Sequence, residues 1–191
     1  MEYLTLLDII GFIVGLFYLY FEYKASIWLW LASIIMPAVD MFLYYEAGLY
    51  ADFGMAIYYC LAAVYGWCMW KFSSTSSKKE TNTGITHFPL NKVLPVVIVF
   101  LLAWVLIYYI LVAYTDSNVP VTDSFTTALS IVAMWALAHK YVEQWLLWLL
   151  VDVVCTVLYI YKDIPFKASI YGIYTIVAVA GYLKWKKMAV R

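Results

Sequence analysis

The sequence predicts an all-helical integral membrane protein of seven transmembrane helices, grouped as three, one and three. Three observations predict it: a large apolar excess, the spacing of the apolar runs, and a self-similarity at a shift of 115 residues. Hydrophobic residues make up 66% of the 191 and charged residues only 13%, with a mean hydropathy of +0.86. Soluble domains run nearer half apolar and a quarter charged, so this chain calls for lipid as its solvent.

A helix crossing a bilayer needs about 20 mostly apolar residues. Seven runs fit, at 5–23, 27–45, 50–70, 93–114, 124–139, 142–161 and 168–185. Backbone groups in lipid must be satisfied within each segment, and no alternating barrel pattern is present, so all seven are read as helices. The first follows MEYLTLLDII, which lacks a basic n-region and a small-residue cleavage site and is read as leading into a retained span. The second contains Pro37, which removes one helical hydrogen bond and makes a kink, either a flexing point for gating or a packing feature. The third, YADFGMAIYYCLAAVYGW, mixes Tyr58, Tyr59 and Tyr65 with Gly54, Ala62, Ala63 and Gly66, small residues that suit close helix packing. The polar stretch 71–92, rich in Ser, Thr and Lys, reads as a flexible loop joining two halves. The fourth run connects the halves, and the last three complete the chain.

Basic residues set the orientation. With the N-terminus outside, Lys24, Lys71, Lys78, Lys79, Lys92, Lys140, Lys184, Lys186, Lys187 and Arg191 fall inside, and only Lys162 and Lys167 fall outside. The loop carrying Asp116 and Asp123 is then external, and the C-terminus is cytoplasmic.

The shift of 115 residues places Trp30 on Trp145, Leu31 on Leu146, Val39 on Val154 and Tyr44 on Tyr159. It continues with Tyr59 on Tyr174, Gly66 on Gly181, Trp70 on Trp185 and Lys71 on Lys186. The first three spans therefore repeat as the last three. The expected organisation is a three-helix bundle at 1–70, a cytoplasmic loop at 71–92, a connector helix with an external loop at 93–123, and a second bundle at 124–191. Parallel repeats of this kind are a transporter device, with a site near the midplane where the bundles face each other.

Within the sixth run, Trp145, Trp148 and Asp152 share one helical face at i, i+3 and i+7, and Gln144 joins it four residues before Trp148. A carboxylate at mid-membrane costs about 2.5–3.5 kcal/mol, which favours placing it on a polar cavity or against a partner. Two aromatic planes beside a carboxylate suit a flat heteroaromatic cation, since a desolvated cation over an indole gains on the order of 2 kcal/mol. The bland alternatives are an interfacial tryptophan belt and a structural hydrogen bond from Asp152. Asp40, in IIMPAVDMFLYY, is the other deep carboxylate. It could line the same pathway, bind a coupling proton, or bond a neighbouring helix. Glu46 and Asp52 sit near span ends, where solvation explains them.

Other classes are excluded or weakened. There is no HExxH, GxSxG or Gly-rich phosphate loop, so no enzyme motif is found. His87 and His139 lie in connections, and Cys60, Cys68 and Cys155 sit singly in apolar runs, so neither metal, cofactor nor disulfide is expected. Zero net charge argues against nucleic acid.

The run LSIVAMWALAHKYVEQWLLWLLVDVV resembles the signature region of the PnuC family of bacterial vitamin-precursor transporters. That family shows Trp-x-x-Trp-x-x-x-Asn or Asp, matched here by Trp145, Trp148 and Asp152. GLYADFGMAIYYCLAAVYGWCMW resembles its third core helix, with the YGW ending at Tyr65, Gly66 and Trp67. The resemblance implies a SWEET-like 3+1+3 fold, a homotrimer, and facilitated diffusion of nicotinamide riboside across the bacterial inner membrane, with trapping by a cytoplasmic kinase. By position, Trp145 and Trp148 would frame the nicotinamide, Asp152 would meet the ribose or the cationic ring, and Gln144 could add a hydroxyl contact. Asp152 stands where many riboside-transporting members have Asn, which keeps thiamine, another flat cation, as the close alternative. A proton-coupled carrier and a non-transporting membrane subunit are the other readings. No basic residue lies deep within a span, Lys184 standing at the end of the last, which disfavours a phosphorylated mononucleotide.

Overall fold

The computed structural model describes residues 2–46, 50–73, 84–115, 117–163 and 165–189. Side chains are described from residue 13 onward, apart from those of Met36, Asp40, Leu43, Tyr44, Glu46, Tyr50, Ala51, Asp52, Ser73 and Phe166. The described chain is helical: α1 (Glu2–Tyr23), α2 (Trp28–Glu46), α3 (Tyr50–Ser73), α4 (Val93–Tyr114), α5 (Pro120–Ala138), α6 (Gln144–Tyr161) and α7 (Pro165–Met188), with one 3₁₀ turn at Leu90–Lys92. Helix α4 coincides with its apolar run at both ends. Helices α5 and α7 begin earlier than theirs, each on a proline. Proline at the first turn costs no hydrogen bond and presets φ, and hydropathy does not register the polar residues that follow it.

Among the described residues, four segments are long and apolar enough to cross a membrane: Phe53–Phe72, Leu90–Tyr114, Pro120–Ala138 and Gln144–Tyr161. The chain divides into two compact units, Met1–Glu80 and Thr81–Arg191. In the first, α2 packs on α1 and α3; in the second, α5 packs on α4 and α6, and α6 on α7. No residue of α4 is buried.

The 115-residue offset recurs in the geometry of the two units. Helix α1 ends in a turn with Ala25 at φ 51°, and α5 ends in one with Lys140 at φ 56°. Both are closed by the same bonds: Ala25 N to Glu22 O and Ser26 N to Phe21 O, then Lys140 N to Leu137 O and Tyr141 N to Ala136 O. This is the Schellman arrangement, which satisfies carbonyls at a helix end and usually employs glycine. A second correspondence lies deeper. Trp30 is fully buried, crosses Trp70 edge to face at 5.6 Å and 88°, and lies against Gly66 so closely that a Cβ there would overlap its ring. Trp145, 1% exposed, crosses Trp185 at 5.8 Å and 85°. A Cβ on Gly181 would lie 2.6 Å from its ring. Lipid supplies no hydrophobic force between helices, so association depends on close packing. Each glycine opens room for an indole to reach the facing backbone. Gly54 does no such thing, having nothing within 4 Å of a Cβ.

The end of the 71–92 loop is packed on the second unit: residues 84–92 form a strap across the α5–α6 turn. Ile85 is fully buried. Thr86 N donates to Lys140 O, and Val142 N donates to Thr86 O, at 3.1 and 3.0 Å. Glu143 accepts from Phe88 N at 2.7 Å and pairs with His87 Nδ1 at 2.8 Å. The Phe88 ring lies edge-on to Trp135 and Tyr141. Lys140, in this turn, has its ammonium pKa pulled below the ordinary value by burial. Composition alone hid the strap, because two apolar side chains, one carboxylate and a few backbone bonds hold it.

Candidate functional site

Helix α6 starts at Gln144, immediately after the strap's anchor Glu143. From there the stripe Gln144, Trp148, Asp152 runs at i, i+4 and i+8. Gln144 is fully buried, and its amide nitrogen and oxygen have no hydrogen-bond partner among the described residues. Leaving such groups unmet costs roughly 1–3 kcal/mol each, so they are an opportunity for a polar ligand or water. Trp148 is half-buried beside the apolar cluster of Leu129, Val151 and Cys155, and its indole Nε1 is likewise unpartnered. Asp152 is 7% exposed. Its backbone oxygen accepts from Thr156 Oγ1 at 2.7 Å, yet its carboxylate makes no hydrogen bond or ion pair among the described residues.

Trp145 separates from this group. It packs wholly against Gly181 and Trp185 inside the α6–α7 seam, the same packing that Trp30 makes in the first unit. Trp148 and Asp152 therefore stand together, with Gln144 a turn away and Trp145 as the ring that fixes α6 on α7.

The structure adds residues that the sequence reading passed over. Cys155, Tyr171 and Tyr174 lie within electrostatic reach of Asp152. Tyr171 stacks on Tyr159 at 5.3 Å and 21° and meets Tyr174 edge-on at 5.9 Å. On α6 the face reads Trp148, Asp152, Cys155, Tyr159. On α7 it reads Lys167, Tyr171, Tyr174, Ala178, Gly181, Trp185, all at steps of three or four. That periodicity is visible in the sequence and could have singled these tyrosines out among nineteen.

In the first unit, Tyr58 and Tyr59 meet edge to face at 5.4 Å, about two turns of α3 away from the exposed Tyr65. Pro37 lies inside α2. The Asp40 side chain, with those of Glu46 and Asp52 and the whole of Asp116, lies outside the described residues. No group of three or more His, Cys, Asp or Glu that could hold a metal occurs among the described residues.

A buried acidic side chain one helical turn from an indole is the arrangement the structure places here, and sequence comparison says which kind of protein this is. The profile of the family described as nicotinamide mononucleotide transporter matches residues 5–187. The chain belongs to that family. It is a membrane transporter, and its family is one of carriers rather than enzymes. It is 25% identical over 206 residues to the nicotinamide riboside transporter PnuC of Escherichia coli, covering 95% of this chain and 85% of that one. It is 26% identical over 179 residues to the riboflavin/roseoflavin transporter RibM of Streptomyces davaonensis, covering 93% and 83%. The crystal structure of the vitamin B3 transporter PnuC superposes with a TM-score of 0.71 at 23% identity, over 93% of this chain and 79% of that one. At that identity the likeness speaks for the fold.

Proposed function

We propose that this member of the family carries nicotinamide riboside by facilitated diffusion across the bacterial inner membrane, with a cytoplasmic kinase trapping the product. The observation that carries the reading is Asp152: nearly buried, beside Trp148, and without a bond to its carboxylate among the described residues. Burying an unpaired carboxylate is costly unless something arrives to match it. A flat permanent cation does so, giving its ring to Trp148 and its charge to Asp152. The riboside hydroxyls would then meet the unmatched amide of Gln144. Trp145 holds α6 in register rather than touching the substrate, and Tyr58, Tyr59, Tyr65 and Asp40 are further candidates along the pathway, with Pro37 a candidate gate.

In the same reading all seven helices cross the membrane in a SWEET-like 3+1+3 order, N-terminus outside and C-terminus cytoplasmic, and the protein assembles as a trimer. The matching Trp–Gly–Trp packing and the matching helix ends in the two units support the repeat. The fully unburied α4 suits contact with lipid or with another copy. The relatives named above carry nicotinamide riboside or riboflavin, and neither is named for thiamine, which therefore ranks below the riboside.

The test is a binding titration of the purified protein with nicotinamide riboside, riboflavin and thiamine side by side, read by tryptophan quenching. The riboside should bind best, and Trp148→Ala should abolish most of the quenching. Tighter binding of either competitor, or undiminished binding by Trp148→Ala, would overturn the assignment. Accumulation in proteoliposomes above equilibrium, with a pH gradient and no kinase, would show proton coupling instead of facilitated diffusion.

A further inference from the structure

The α6–α7 seam is graded along its length. At one end Trp145 is pressed on Gly181 and Trp185 and nothing else fits. Midway lies Asp152, within reach of Tyr171 and Tyr174. At the other end the stacked pair Tyr159–Tyr171 is topped by the ammonium of Lys167, 5.3 Å from the centroid of the Tyr159 ring. Lys167 is exposed, while both tyrosines are half-buried. The face of an aromatic ring binds cations, so this end of the seam already holds one.

We infer that Tyr159 and Tyr171 form a second cation subsite, one to two turns from Asp152, where a flat cationic substrate docks before reaching the carboxylate, and that Lys167 occupies it in the substrate's absence. The inference rests on the proposed carriage of a permanent aromatic cation. The spacing supports a relay: Asp152 and Tyr159 are seven residues apart, two turns on one face of α6, and Tyr171 stacks on Tyr159 within electrostatic reach of Asp152. Lys167 acts as an intramolecular competitor. An incoming cation must displace the ammonium from the Tyr159 face against the repulsion of its like charge. A neutral substrate meets neither penalty. The subsite therefore sets how well charged and uncharged forms are told apart on the side where Lys167 lies, which is the external side in the proposed orientation.

The experiment is uptake into right-side-out vesicles carrying the full chain, comparing nicotinamide riboside with its uncharged dihydro form. Lys167 is exposed, so its replacement leaves the packing intact. Lys167→Gln should lower KM for the cationic form about threefold to tenfold, the range a cation over an exposed or partly desolvated ring supplies. It should leave the dihydro form unchanged. Lys167→Arg, which keeps the charge over the ring, should stay near the wild type. Tyr159→Leu should raise KM for the cation, and Tyr159→Phe, which keeps the ring face, should not. Equal shifts for both forms, or no shift in Lys167→Gln, would overturn the subsite while leaving the transport assignment standing. So would a Tyr159→Phe as impaired as Tyr159→Leu. A wild type that carries neither form would overturn the transport assignment and the subsite with it.

Discussion

Replacing Gly181 by alanine adds one methyl group at the tightest point of α7. Its carbon would lie 2.6 Å from three atoms of the Trp145 indole, whereas carbon contacts are most favourable at about 3.5–4.0 Å. The ring must retreat by about 1 Å. It has nowhere to go, because Trp145 is 1% exposed and Trp185 fully buried, the two crossing edge to face. Overpacking of this kind costs about 1–3 kcal/mol. With a rigid fused ring as the neighbour, the upper end is expected, roughly a hundredfold in the folding equilibrium. Gly172 lies in the same helix with nothing within 4 Å of a Cβ. Gly172→Ala should therefore be neutral or stabilising by up to about 1 kcal/mol, since alanine is the better helix former. The assay is reversible unfolding in micelles followed by circular dichroism, with both variants in parallel. A double-mutant cycle sharpens it: Trp145→Leu should relieve much of the Gly181→Ala penalty, giving a coupling above about 1 kcal/mol. Equal stability of the two glycine variants, or strict additivity in the cycle, would refute the packing argument. Gly66→Ala should behave like Gly181→Ala, because Trp30 repeats the contact.

Other perturbations reach different parts of the molecule. Asp152→Asn should weaken binding of the cationic substrate by roughly tenfold, the scale of a charge-assisted contact; isothermal titration showing equal affinity would make the carboxylate structural. Glu143→Ala removes the acceptor of Phe88 N and the partner of His87. Because this pair is partly exposed, the loss is about 1 kcal/mol, and hydrogen exchange at Thr86 and Val142 should quicken about fivefold. Unchanged protection would mean that Ile85, Phe88 and the Thr86 backbone bonds hold the strap without Glu143. Burial lowers the Lys140 pKa from 10.5, so the folded protein binds fewer protons than the unfolded chain between the lowered value and 10.5. Stability attributable to Lys140 should therefore rise with pH across that window. Lys140→Gln should flatten this part of a melting-temperature profile, and an identical slope in the variant would count against the burial argument.

The sequence by itself determined the solvent, the helices and the matched packing positions of the two units. Apolar runs of membrane length mark helices because unsatisfied backbone is intolerable in lipid, and α4 was legible to the residue. The offset of 115 was legible too, through Trp30, Gly66, Trp70 and their counterparts, since tryptophan and glycine answer to packing geometry that few other residues satisfy. Prolines displaced two helix starts because a first turn needs no hydropathy. What only the tertiary structure decided is which neighbour each face of α6 meets. Trp145 and Trp148 stand three residues apart with the same chemistry, and periodicity places them on one face. One is pressed into α7 and the other is left beside Asp152. The difference comes from the partner helix: Gly181 admits an indole at one level, whereas Tyr171 and Tyr174 fill the seam at another. One strand of sequence carries its own periodicity but not the register against its neighbour, and that register separates the residue that packs from the residue proposed to bind.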